Sequence, residues 1–345
     1  MSVVTSIRGR RVSFALMWVR NTRVTREQGK PRIDPAHIRA KGLSERHGAR
    51  MATAGRNGLT RRHVVPRIAR FRFGARAMAK NAGIHVGIGG WNFEEWRGTF
   101  YPKGLSQKKE LAYVASKLTS TEVNATYYGS QKPETFARWR EETPDGFTFA
   151  LKASRFCTNK KVLAEAGPSI EKFFAQGLLE LKEKLGPINW QFMETKKFEP
   201  ADFEAFLKLL PKSVEGRAIR HAVEVRNVGF GKPEFIDMLR SYDVALIYTD
   251  KEDFPNLADV TAPFVYARLQ RMSEKMKDGY APKALDEWAA RATEWAKGGA
   301  PKDLPYVGAA EKKPPKERDA FVYFINGYKP KAPFAAMAMI ERLKG

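Results

Sequence analysis

Five charged residues, Glu122, Lys152, Glu224, Arg226 and Arg268, each lie within or at the end of a β-branched, apolar stretch. Burying such groups is costly unless they pair with one another or meet solvent and a ligand. Glu122 and Glu224 have the chemistry of a general acid and base pair, and Lys152 that of a group that binds or polarises a substrate. Together with Arg226 and Arg268, Lys152 suits a phosphate or carboxylate. The same residues could instead form a structural ion network that fills an interior without doing chemistry. Polar side chains recur at comparable places: Asn124, Tyr127, Arg155, Gln191, Asp250, Tyr266 and Asn326. With Arg226, Arg268 and Trp91 they are the candidate substrate-binding residues. Only His85 and His221 follow Met78, and each opens an apolar run, so both are read as structural. A dedicated transition-metal site needs more ligands than that, and none is expected. Ser-His-Asp, Walker and zincin patterns do not occur, and no cofactor is expected.

The elements that must carry these groups alternate. Apolar, β-branched runs at 85–88, 120–126, 147–152, 188–193, 221–226, 244–248, 264–269 and 320–325 read as strands. Helix-period stripes lie between most of them. Leu111, Val114, Ala115 and Leu118 form one. Ile170, Phe173, Phe174, Leu178, Leu181 and Leu185 form the longest, with Ser169 as N-cap after Pro168. Eight strands alternating with helices over this length predict an α/β fold, a closed (β/α)8 barrel of the TIM type, in a single domain over residues 78–345. In such a barrel the functional groups gather at the C-terminal strand ends. The competing architecture is a doubly wound open sheet, but the glycines at 87, 89 and 90 lead into Trp91 and not into a phosphate-binding helix. Trp91 reads either as a hydrophobic plug at a barrel end or as a ligand-lining residue. Residues 251–263 show no helical pattern, and 298–319, rich in Gly, Pro and Lys, read as a mobile surface loop.

The net charge of +23 is unevenly placed. Residues 1–77 hold 17 Arg and 2 Lys against three acids, a net of +16, which leaves +7 for the remainder. This Arg-rich extension reads as a segment outside the native protein, with translation starting at Met78, as a disordered nucleic-acid arm, or as a targeting peptide. Nucleic acid is an expected partner only if that segment is real; the folded part calls for a small-molecule ligand. The single Cys157 excludes an intrachain disulfide and fits a reducing, cytoplasmic setting as a small packed thiol. No apolar run approaches the roughly 18 residues of a membrane-spanning helix.

Several blocks resemble the DUF72, or YecE-like, proteins. They are Gly87-Ile88-Gly89-Gly90-Trp91 with Trp96 to Pro102, Thr121 to Tyr128, Phe147 to Lys152, Ala222 to Arg226, Phe264 to Leu269, and Tyr323 to Gly327. The resemblance covers about residues 84–345 and does not touch the Arg-rich segment. It implies a TIM-barrel-like fold and supplies no reaction. The chain departs from the common pattern at Thr158-Asn159, where relatives often carry Thr-His, at Gln270 in place of a histidine, and at Ile325-Asn326 in place of Asn-Asn. An enzyme acting on a small polar or anionic metabolite at the C-terminal barrel face is the leading expectation. A non-catalytic ligand- or nucleic-acid-binding protein is the alternative.

Overall fold

The computed structural model describes residues 83–345, so the Arg-rich extension and the boundary at Met78 lie outside the described residues. Eight parallel strands form a closed barrel: β1 (Ile84–Gly89), β2 (Ser120–Val123), β3 (Thr148–Lys152), β4 (Leu185–Gln191), β5 (His221–Glu224), β6 (Ala245–Thr249), β7 (Phe264–Leu269) and β8 (Asp319–Phe324). Each pairs with its neighbours in sequence, and β8 returns to pair with β1, so the doubly wound sheet is excluded. Helices lie between most of the strands. Proline occupies the first turn of several of them, including Pro133–Glu141, Pro200–Leu209, Pro233–Ser241 and Pro282–Ala296, where its missing N–H leaves no bond unmade.

Alternate residues on each strand face the barrel interior. Ala150, Ala222 and Ala245 line one side, and Tyr266, Phe321 and Tyr323 fill the space those small side chains leave. One layer further toward the C-terminal ends the interior turns polar, with Glu122, Lys152, Gln191, Glu224 and Arg268 all buried. Gly87 on β1 admits the closest approach in the barrel wall. A Cβ there would stand 2.3 Å from the Ser120 carbonyl oxygen. Gly87→Ala is therefore expected to cost about 1–3 kcal/mol of stability through overpacking, read as a lower urea midpoint. An unchanged midpoint would show that the β1–β2 pairing yields freely.

The structure corrects three local readings. β2 ends at Val123, and Asn124 turns into the helix Ala125–Tyr128, so Asn124 and Thr126 do not share a strand face with Glu122. The barrel supplies no ladder partner beyond Val123, and Thr126 spends its hydroxyl on the Lys152 carbonyl at 2.7 Å, which outweighs its β propensity. The long helix expected over 169–185 is broken. It runs from Gly167 to Phe174 with Ser169 inside its first turn, not as N-cap; Gly177 (φ +92°) then turns the chain beside Pro133, a 3-10 segment follows, and Leu185 already belongs to β4. Residues 298–318 contain no helix or strand, but they are not a free loop. Asp259 accepts from Val307 N at 3.0 Å and Gly308 N at 2.8 Å, and Ala258 N donates to Pro305 O, tying this segment to the other irregular one.

Candidate functional site

The buried polar layer is built around Arg268. Its two Nη atoms reach opposite carboxylates: Nη2 donates to Glu122 Oε1 at 3.0 Å, and Nη1 donates to Glu224 Oε2. Glu122 Oε2 accepts from Tyr266 Oη at 2.6 Å and from Asn189 Nδ2 at 3.3 Å. Glu224 Oε1 accepts from Arg226, whose Nε lies at 2.8 Å and Nη2 at 2.7 Å. All four carboxylate oxygens are thus committed, and neither glutamate is exposed. Burial pushes the Glu224 carboxyl upward, but Arg268, Arg226 and Lys152 outweigh it and hold the group below the usual carboxylate range. Arg226 is further fixed over the Phe254 ring, 4.8 Å from its centroid.

Above this layer opens a cavity of about 700 Å³ at the C-terminal mouth of the barrel. Lys152, Gln191, Arg226 and Arg268 form its floor, and Asn124, Tyr127, Asn326 and Trp91 its sides. Eight of the expected site residues are therefore brought together. Trp91 is one of them. Its indole lines the mouth and also packs edge-on against Trp139, with centroids 5.1 Å apart. Asn326 holds a left-handed backbone (φ +57°), tolerable for Asn, and its Nδ2 donates to Gln270 Oε1 at 2.8 Å. Lys152 Nζ lies 4.2 Å from the centroid of the Tyr127 ring.

The other expected residues are placed differently. Glu122, Glu224 and Tyr266 lie beneath the cavity lining, as supports of Arg268. Asp250 turns away into a separate cleft, where its carboxylate accepts from Gln270 N and, at 2.7 Å, from Tyr280 Oη. Arg155 stacks on the exposed Phe156 and does not line the mouth. His85 stacks on Phe321, and His221 bonds Trp190 and Pro211; both belong to the opposite, N-terminal end of the strands. Cys157 is buried, which pushes its thiol up to about 12.

Sequence reasoning missed Lys329, which lines the mouth from the start of the short 3-10 helix Lys329–Lys331 after β8. The signal lay in the Trp91–Pro102 stretch. Trp96 Nε1 donates to the Lys329 carbonyl at 3.1 Å, and Lys329 Nζ sits 4.3 Å from the centroid of Phe93. Tyr128, Phe156, Met193 and Val228, on the segments after four successive strands, β2 to β5, are exposed, and of these Tyr128 lines the mouth. Among the described residues no three His, Cys, Asp or Glu side chains form a group able to hold a metal ion, and no helix is long and apolar enough to cross a membrane.

Comparison with known proteins agrees with the barrel fold. Residues 85–345 match the family described as "Protein of unknown function DUF72". The UPF0759 protein YecE of Escherichia coli strain K12 is 27% identical over 147 residues, 43% of this chain and 50% of that protein. The UPF0759 protein YunF of Bacillus subtilis strain 168 is 36% identical over 70 residues, 20% of this chain and 24% of that protein. The matched stretches thus span half or less of these relatives. Among solved structures, a DUF72 family protein from Thermotoga maritima MSB8 superposes with a TM-score of 0.60 at 22% identity, covering 76% of this chain and 99% of that one. A second, from Enterococcus faecalis V583, gives 0.54 at 19% identity, covering 75% and 96%. At these identities the likeness speaks to the fold alone.

Proposed function

For a chain that belongs to the DUF72 family of proteins of unknown function, we propose an enzyme that binds a small anionic metabolite in the C-terminal mouth of its barrel. One observation carries this reading. Among the described residues the mouth is lined by four cationic side chains, Lys152, Arg226, Arg268 and Lys329, and by no carboxylate. The two nearby glutamates are buried below and spent on the arginines. The surplus charge faces a cavity whose size suits a metabolite rather than a single ion. The arginines are also held in place before anything binds, so little ordering is needed at the moment of binding. Asn92, Asn124 and Asn326 add amide groups for hydroxyls, and Trp91 and Tyr127 add aromatic walls. In this proposal Glu122 and Glu224 act as positioning residues for Arg268 in place of the expected acid–base pair, because none of their oxygens is uncommitted.

The test is calorimetric titration of the full chain with inorganic phosphate and with small mono- and dicarboxylates. Binding is expected, weakened roughly tenfold to a hundredfold in Lys152→Met or Arg226→Met, the loss of one charge-assisted contact. Lys160→Met, on the loop outside the lining, is the control and is expected to bind as the parent does. Binding that is indifferent to Lys152 and Arg226 would sink the proposal.

A further inference from the structure

Among the cations of the mouth, Lys152 alone is a buried amine. It extends from the interior face of β3 at its C-terminal end and lines the cavity, yet Nζ has no hydrogen-bond acceptor and no ion-pair partner among the described residues. The carboxylates that would ordinarily neutralise it are committed to arginines: both Glu224 oxygens to Arg226 and Arg268, and Glu122 to Arg268, Tyr266 and Asn189. An ammonium left without acceptors in a buried site beside two guanidinium groups is an unfavourable state. The neutral amine avoids that cost, and a neutral amine facing an anion-binding cavity is a nucleophile.

Resting on the anion-binding reading above, we propose that Lys152 condenses with the carbonyl group of an anionic aldehyde or ketone, whose carboxylate or phosphate is held by Arg226 and Arg268. The Nζ lone pair attacks the carbonyl carbon, a C–N bond forms, and the C=O π pair moves to oxygen. The nitrogen gives up a proton and the oxygen gains one, giving a carbinolamine. That hydroxyl leaves as water with the nitrogen's remaining proton, and the C=N bond forms as the C–O bond breaks, so amine and carbonyl become imine and one water with no change of oxidation state. The guanidinium groups cannot share this role, since they stay protonated throughout the working pH range. They fix the charged end of the substrate and leave its carbonyl to the lysine.

The groups facing Nζ divide in their effect. Burial, Arg268 and Arg226 favour the neutral amine, whereas Glu122, Glu224 and the Tyr127 ring favour the ammonium. The balance lowers the lysine to about 8, with burial the largest cause. Lys329, the other amine of the mouth, is more exposed and rests on Phe93 and Trp96.

The experiment exposes the full chain to limiting glyoxylate, an aldehyde joined to a carboxylate, with cyanoborohydride present to reduce any imine to a stable secondary amine. Peptide mass spectrometry then gives the labelling rate of every lysine between pH 6.5 and 9. Lys152 is expected to label on the order of tenfold faster than the surface lysines at pH 7.5, because far more of it is neutral there. Its rate is expected to rise with pH and level off just above pH 8, and added phosphate should slow it. Lys152→Arg removes the fast label and keeps the charge, and Lys160→Arg, outside the lining, leaves it in place. Labelling of Lys152 at the surface rate overturns the imine, even if phosphate still binds and still depends on Lys152 and Arg226. Fast labelling that phosphate does not slow overturns the proposal too, since the amine would then not serve the anion site. Failure of phosphate and carboxylates to bind at all is read separately, by the titration, and falls on the anion-binding reading.

Discussion

Arg268→Met is expected to cost about 3–5 kcal/mol of folding stability at neutral pH, the penalty for leaving buried carboxylates without their cation. Arg268 is 2% exposed and, among the described residues, is the one ion-pair partner of Glu122 as well as one of two for Glu224. Methionine fills much the same volume and removes the charge, so the loss reports electrostatics more than packing. The sign of the pH dependence follows. Glu224 is held below its ordinary value of 4.5, so in the parent its contribution is present above that pH and is lost as pH falls through the depressed value. Without Arg268 the burial that opposes ionisation loses a principal opponent, and the carboxyl holds its proton to higher pH. The gap between parent and variant should therefore be widest at neutral pH and narrow on acidification. Urea denaturation at pH 7.5 and at pH 4.5 checks this. A gap that stays constant between the two would mean that the carboxylates are not what the arginine stabilises. Glu224→Gln supplies a second reading: combined with Arg268→Met, it should cost less than the sum of the two changes, because the groups act as one network.

The arrangement behind that prediction was partly legible in the chain. Period-2 alternation on β7 puts Tyr266 and Arg268 on one face, and the same counting places Glu122, Lys152, Gln191 and Glu224 inward on their own strands. Once eight such strands are expected to close, those residues must converge on one layer. What the alternation cannot supply is anything past the last paired residue. Asn124 still reaches the mouth, but through a turn into a helix. Asp250, one residue beyond β6, goes the other way, captured by Gln270 N and Tyr280 Oη. Arg155 similarly follows its own short helix outward, and Lys329 arrives from the 3-10 helix after β8, whose position depends on the Trp96 indole. Partner choice inside the layer was equally hidden. Two glutamates and three cations allow several pairings, and the planar fork of arginine decides among them, because it can satisfy carboxylate oxygens with fixed donors while an ammonium cannot match that geometry. That competition leaves Lys152 without an acceptor among the described residues, which no spacing in the sequence records.

Acid sensitivity of the opposite end of the barrel is the second large effect expected. His221 opens β5, and its ring is held between two partners of fixed polarity. Nε2 lies 2.8 Å from the Pro211 carbonyl oxygen, an acceptor, so this nitrogen carries the proton. Nδ1 lies 3.0 Å from Trp190 Nε1, a donor only, so this nitrogen must accept and remain bare. Protonating His221 would set one N–H against another inside a buried site. Burial, the largest cause, lowers the group from 6.5 to about 4, and the bond to Pro211 only partly offsets it. A depressed histidine contributes stability that is complete above its unfolded value of 6.5 and declines as pH falls toward the folded value near 4. Over that window the loss amounts to about 3 kcal/mol. His85 is lowered by burial as well, so part of the slope belongs to it, and the informative quantity is the difference between parent and His221→Gln. Glutamine can accept from Trp190 and donate to Pro211 without titrating. The variant should start lower at pH 7.5, because the ring's packing against Trp190 is lost, and should decline less steeply between pH 6.5 and 4. Equal slopes in the two proteins would remove His221 as the source. A steeper decline in the variant would mean that the imidazole is protonated in the fold after all, with the Trp190 bond absent in solution.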